Sequence, residues 1–286
     1  MKIIDILKMH DKGVSFEFFP PKTESGMDSL VSTVKILKAY KPLYASMTYG
    51  AIGSDQNKTK EATYKLIEEK DLTVMPHLTC VGASADTIKN LLHEYRQNGI
   101  ENIMALRGDP PAGTINFDFK SQALCYAKDL VKYIKGLDHF CIGVAVYPEG
   151  HIETKSLEED IEYTKQKIDA GAHFAVTQMF FDNAHFYNFL DRADKKGIKI
   201  PILPGIFPLT DIDKLKKFCL VSRTTIPKKI ENEMARFRHR PEDMEKAGRE
   251  ITINQCRDLI KHGHKRLHFF TFNKANTIKN ILKGIS

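Results

Sequence analysis

Short apolar runs rich in β-branched and aromatic residues recur along the chain, near 14–18, 43–48, 73–79, 102–106, 141–146, 174–178, 200–206 and 267–271. Segments with helical spacing separate them, and the first seven return about every 30 to 40 residues, the length of a βα unit. A chain that alternates in this way pairs its strands in parallel, because each helix carries it back before the next strand begins. About eight such units, with no low-complexity linker and no break in composition, predict a closed (β/α)8 TIM barrel. The expected organisation is a single domain over residues 1–286. The gap before the last strand is roughly twice the usual one and holds two helical stretches, near 227–234 and 241–262. That reads as an elaborated seventh unit. Elsewhere Ile88, Leu91, Leu92 and Tyr95 form one helical stripe between Ser84 and Gly99, and Leu157, Ile161, Thr164 and Ile168 form another. Ser156 and Glu159 stand as a capping box for the second, with Gly171 as its stop.

Composition removes several classes of protein. Hydrophobic residues make up 42% and charged residues 28%, which argues against a disordered or fibrous chain. No apolar run approaches the roughly 18 residues of a membrane span. The start, Met1 to Asp5, lacks the apolar stretch of an export signal, so a cytoplasmic location is expected. The five cysteines are scattered and form no CxxC pair, and the histidines form no HExxH, so neither a metal site nor a disulfide framework is expected. The net charge of +7 invites a nucleic-acid reading, but the densest basic stretch, Arg236 to Arg240, runs straight into Glu242, Asp243 and Glu245. A solvated helix face explains it better. No GxGxxG follows a strand and no Walker sequence occurs, so a dinucleotide would have to lie across the barrel mouth.

In such a barrel chemistry sits where strands end. Glu17 stands between Phe16 and Phe18 in the first strand. Aromatic walls would desolvate its carboxylate and raise its pKa, as suits a general acid; the alternative is a rim glutamate paired with a basic neighbour. Arg107, Gly108 and Asp109 after the fourth strand offer a guanidinium, a flexible amide and a carboxylate, fit for a phosphate or an anionic ring, or else a turn with an internal ion pair. His77 reads either as a donor to a ligand carbonyl or as a hydrogen-bonded barrel histidine. Asp160 and Lys167, two helical turns apart, could anchor a ribityl or phosphate group or could be a solvated flank.

The motifs SFEFFPP, MTYGA, PHLTC, ALRGDPP, YPEGH, DAGAHFAVTQMFFD, PGIFP and HFFTFNKA follow in order from about Val14 to Asn273. Together they resemble the methylenetetrahydrofolate reductases of the short bacterial type. The resemblance implies an FAD-dependent enzyme that reduces 5,10-methylenetetrahydrofolate to 5-methyltetrahydrofolate with NAD(P)H, by ping-pong hydride transfer that supplies methyl groups for methionine synthesis. Glu17 matches the family's general acid, which protonates N10. Asp109 matches the carboxylate near flavin and pterin, Gln178 the glutamine that contacts nicotinamide and folate in turn, and Thr48 a nicotinamide position. FAD contacts carry over to Tyr49, Ala51, His77, Arg107, Gly108, Asp109, Tyr126, Ala127, Tyr147, His151, Asp160 and Lys167. Three further FAD positions depart from the pattern: Thr154 replaces alanine, Tyr163 asparagine and Gln166 arginine. On the folate side Phe218 matches a stacking aromatic, Lys214 replaces glutamine and Lys274 replaces arginine. A homotetramer is implied, and no carboxy-terminal regulatory domain is expected before Ser286. A flavin barrel of the proline dehydrogenase kind would share the architecture but leaves Glu17 and Gln178 unexplained. A Schiff-base aldolase finds no strand-end lysine except Lys274, and a basic RNA-binding scaffold leaves the polar rim without a purpose.

Overall fold

The computed structural model describes residues 1–49, 56–110 and 117–285. Its strands are β1 (Gly13–Phe18), β2 (Ala45–Met47), β3 (Val74–Thr79), β4 (Asn102–Leu106), β5 (Cys141–Val146), β6 (Phe174–Thr177), β7 (Ile202–Leu203), β8 (Gly205–Ile206) and β9 (Arg266–Phe270). They pair in parallel in the order β7-β6-β5-β4-β3-β2-β1-β9-β8. The predicted run at 200–206 is thus one stave in two pieces. Pro204 has no amide hydrogen to give the ladder, so β7 pairs with β6 on one side and β8 with β9 on the other. The broken stave closes a TIM barrel, as the alternating pattern predicts.

The helices are α1 (Ile3–Met9), α2 (Glu24–Lys38), α3 (Gln56–Ile67), α4 (Ala85–Gln97), α5 (Ala127–Lys135), α6 (Leu157–Asp169), α7 (Asn183–Lys195), α8 (Ile212–Ser222), α9 (Lys228–Ala235), α10 (Pro241–Lys261) and α11 (Ala275–Ile285). The first, α1, precedes the barrel and puts Ile3, Ile6 and Leu7 against Tyr44, Met75, Met104, Cys141 and Phe174 inside it. That apolar plug fills the end where strands begin, so polar interior residues are left to the other end. The predicted helical pair before the last strand is α9 and α10, and with α8 it packs Met234 and Met244 beside Phe207 and Leu209 at the strand-end rim. Ser156 caps α6 through Glu159 N at 3.1 Å. The reciprocal half of the predicted capping box differs: the Glu159 carboxylate accepts from Lys155 N at 2.7 Å, one residue earlier.

Candidate active site

Side chains alternate across a strand, and this decides what surrounds Glu17. Phe16 and Phe18 face outward into the core shared with α2 and α11, while Ser15 and Glu17 face the barrel interior. The expected aromatic walls are therefore on the wrong side of β1. Glu17 Oε2 instead accepts from His268 Nε2 on β9 at 3.4 Å, and His77 Nε2 on β3 lies 3.4 Å away without a hydrogen-bonding angle. Burial pushes the Glu17 carboxyl up, but the charge of His77 and the hydrogen bond from His268 outweigh it and hold it at about 2. The expectation of a raised pKa is corrected accordingly: this carboxylate is ionised beside two imidazoles. Thr48 and Tyr49 follow β2 on the same rim, where Thr48 N donates to Phe18 O at 2.9 Å.

A second cluster gathers after β4 and β5. The Arg107 guanidinium lies 4.0 Å over the Phe119 ring and forks onto Glu153, with Nη1 and Nη2 at 2.5 and 2.6 Å from its two oxygens. It does not pair with Asp109, which is exposed. Gly108 turns the chain at φ +88°, where a Cβ would lie 2.5 Å from Val81 Cγ1, so only glycine passes there. Behind this turn the Tyr147 ring meets His151 edge-on at 4.8 Å. His151 N donates to Asp160 Oδ1 at 3.0 Å, and Thr154 Oγ1 donates to His151 O at 2.8 Å. Lys167 Nζ donates to Ala145 O at 2.6 Å and sits 5.7 Å from the Tyr147 ring centroid.

Asp160 and Lys167 are thus no solvated flank. Burial raises the Asp160 carboxyl despite the nearby Lys167 ammonium, and burial pulls Lys167 down to about 8 against the attraction of Asp160. Asp160 Oδ2 is buried with no hydrogen-bond partner. A buried cation, an unpartnered buried carboxylate oxygen and an arginine fork on one rim fit a polyol carrying phosphates, and on this ground the residues fit FAD. The remaining FAD positions divide. Tyr126 caps α5 through its own amide, which donates to Asp129 Oδ2 at 2.9 Å, and Ala127 opens that helix. Tyr163 is exposed and donates to Glu159 on its own helix at 3.0 Å. Gln166 Oε1 accepts from Lys128 Nζ at 2.8 Å, which brings a cation from α5 to the position where the family's arginine is missing. Ala51 lies outside the described residues.

Aromatic rings close the far side of the rim. Phe19 stacks on Phe272 at 5.0 Å, and Phe207 meets Phe272 at 4.8 Å. Phe218 lies 5.5 and 5.6 Å from these last two and keeps 42% of its surface exposed, so one of its faces is open for stacking. Asn273 ties the wall to β1: its Oδ1 accepts from Phe19 N at 3.0 Å and its Nδ2 donates to Phe19 O at 2.8 Å. Gln178 leaves β6 with its Oε1 accepting from Met179 N at 2.9 Å. Lys274 is exposed just before α11, and Lys214 is exposed in the first turn of α8, 3.5 Å from Asp211.

Four contributors escaped the sequence reading: His268, Glu153, Lys128 and the Phe19–Phe207–Phe272 wall. A signal existed for the wall, since FEFFPP, PGIFP and FTFNKA each leave a phenylalanine just beyond a strand. His268 is a polar residue two positions before Phe270 in an apolar strand, which marks the interior face. Nothing local marks Glu153 or Lys128.

The sequence family described as methylenetetrahydrofolate reductase matches residues 2–286. The chain is 40% identical over 270 residues to the 5,10-methylenetetrahydrofolate reductase of Buchnera aphidicola subsp. Schizaphis graminum, covering 93% of this chain and 89% of that protein. It is 36% identical over 262 residues to the enzyme of that name from Escherichia coli, covering 92% and 86%. Among solved structures, a Clostridium thermocellum protein that binds two copies of 5-methyl-5,6,7,8-tetrahydrofolic acid superposes with a TM-score of 0.68 over 98% of this chain and 96% of that one. At 13% identity that likeness concerns the fold alone.

Proposed function

The chain belongs to the methylenetetrahydrofolate reductase family, and on that premise we propose that it carries FAD across the barrel mouth and takes its electrons from NAD(P)H. It is an oxidoreductase of one-carbon metabolism that reduces 5,10-methylenetetrahydrofolate, so the reading of a proline dehydrogenase-like barrel falls. The observation that carries the proposal is the shared rim: a buried ionised carboxylate, Glu17, opens onto the same strand ends as the Arg107–Asp160–Lys167 cradle. FAD, when bound, supplies a two-electron carrier that lets one site serve a nicotinamide and a folate in turn. The residues do the rest. Arg107 and Lys167 hold phosphate charge, Asp160 takes a polyol hydroxyl, and Gln178 and Thr48 orient the nicotinamide. Phe218 stacks on the folate, Asp109 steadies the pterin, and Glu17 delivers a proton to N10 so that the five-membered ring can open. The same proposal places the protein in the cytoplasm as a single catalytic domain in a homo-oligomer, a tetramer by resemblance; no described helix is long and apolar enough to cross a membrane. Anaerobic half-reactions test it: NAD(P)H should bleach the bound flavin and methylenetetrahydrofolate should restore it. A colourless protein that FAD cannot reconstitute would refute the cofactor.

The cradle makes FAD affinity depend on pH with a definite sign. Lys167 titrates at about 8 in the ligand-free protein, and phosphate beside it favours the ammonium. Binding therefore takes up a proton above that pH, and the affinity should fall by about tenfold between pH 7 and 9. Flavin fluorescence titrations across this range check it, and Lys167→Met should flatten the dependence. Lys274 is expected to act more weakly. If it meets the anionic tail of folate, Lys274→Ala should raise the KM for methylenetetrahydrofolate only a few-fold, as an exposed charge contact is worth roughly 0.2–1 kcal/mol. The effect should fade as salt rises, with the KM for the nicotinamide unchanged. A folate KM indifferent to both substitution and salt would make Lys274 structural.

A further inference from the structure

An acid catalyst needs a proton, and the Glu17 carboxylate does not keep one of its own at neutral pH. Directly behind it, away from the mouth, His268 is wholly buried. Its Nε2 faces Glu17 Oε2 at 3.4 Å. Its Nδ1 faces Ser15 Oγ at 2.8 Å and Tyr44 Oη at 3.3 Å, and the Tyr44 ring stacks on the imidazole at 5.6 Å and 20°. The ring is thereby fixed in plane and tilt, with one nitrogen committed to hydroxyls and the other to the acid. No helix or loop separates them; Ser15, Glu17 and His268 share two paired strands, in which Ser15 registers with His268 and Glu17 with Phe270.

We propose that His268 is a positioning residue that stores the proton Glu17 delivers to folate N10 and returns it to the carboxylate from Nε2. The inference rests on the proposed role of Glu17. The step balances without any further reactant. With both nitrogens protonated, Nδ1–H donates to Ser15 Oγ and Nε2–H to Glu17. The Nε2 proton passes to Glu17 Oε2 and on from that carboxyl to folate N10, so Glu17 ends as the carboxylate it began as and His268 is left neutral as the Nδ1–H tautomer, which Ser15 already holds. Solvent then reprotonates the cluster between turnovers. The titratable groups that face the pair are His77, on the other side of Glu17, and Tyr44, with Cys141 behind Tyr44. Burial raises the Tyr44 phenol and the Cys141 thiol, so both stay protonated near neutral pH and neither competes for the proton.

His268→Gln keeps a donor toward Glu17 but cannot store a proton, and Ser15→Ala keeps the imidazole but leaves its Nδ1 with the longer contact to Tyr44 Oη alone. In rapid-reaction measurements His268→Gln should slow the folate half-reaction at least tenfold at neutral pH and move its alkaline limb to lower pH, with flavin reduction by NAD(P)H close to that of the parent. Ser15→Ala should displace the same limb with a smaller loss of rate. Independently of flavin, the imidazole resonances of the ligand-free protein should show one histidine, absent in His268→Gln, whose chemical shift moves in both Ser15→Ala and Glu17→Gln. A folate half-reaction with unchanged rate and pH profile in both variants would overturn the inference, as would equal damage to both half-reactions. A parent protein that reduces flavin yet never reoxidises it with methylenetetrahydrofolate would instead refute the role of Glu17.

Discussion

Glu17→Gln is expected to leave flavin reduction by the nicotinamide near the parent rate and to suppress folate reduction by about 10²–10⁴-fold, the usual contribution of a positioned acid. At about 1.36 kcal/mol per decade this raises the folate barrier by roughly 3–5 kcal/mol. Glutamine can still meet His268 Nε2, so the strand register of β1 and β9 should survive, and the effect should lie in kcat for folate more than in KM. The substitution also removes the negative charge that faces two buried imidazoles. Equal loss in both half-reactions would make Glu17 a structural residue.

Gly205→Ala is expected to destabilise the barrel strongly. A Cβ there would lie 2.2 Å from the Thr177 carbonyl oxygen and 2.9 Å from the Phe270 ring. The carbonyl belongs to the backbone of β6 and cannot swing aside. Gly205 N also donates to Thr177 Oγ1 at 2.8 Å, a bond that any shift would stretch. Overpacking of this kind costs about 3 kcal/mol or more, which corresponds to a fall of roughly 6–12 °C in Tm for a chain of this size. Thermal unfolding of the two proteins side by side measures it, and a Tm within a degree or two of the parent would show that β6 and β8 can part at no cost. Gln178 follows Thr177 directly, so the orientation of the nicotinamide should suffer with the stability.

The barrel was legible because short β-branched and aromatic runs alternate so regularly with stripes of helical spacing, and because Ser84, Ser156 and their glycine stops punctuate them. The break at Pro204 was not, since a proline within an apolar run shows which amide is missing but not that both halves go on pairing with different neighbours. Glu17 was legible from its motif, but its electrostatics were misread. Adjacency in sequence suggested Phe16 and Phe18, whereas the pleat turns those away and the deciding partner, His268, is 251 residues distant. Lys167 shows the same limit in a helix. Spacing placed it beside the apolar stripe of α6, yet only the carbonyl of Ala145 on β5 explains why a lysine there is drawn inward. Lys128 was not legible at all, because it reaches Gln166 from a different helix.

The seam between β1 and β9 has a consequence for synthesis. Ser15 and His268, which meet there, are 253 residues apart. Loop-closure cost grows only with the logarithm of that separation, so the folded barrel bears it easily. A chain emerging from the ribosome meets a different situation. Seven staves can form while the interior flank of β1 is still bare, and Glu17 then faces water, with neither its histidine on β9 nor the Asn273 clamp. Competence to protonate a substrate therefore arrives with the last strand, in a single event, and a stalled or truncated product should have no fractional activity in proportion to its length.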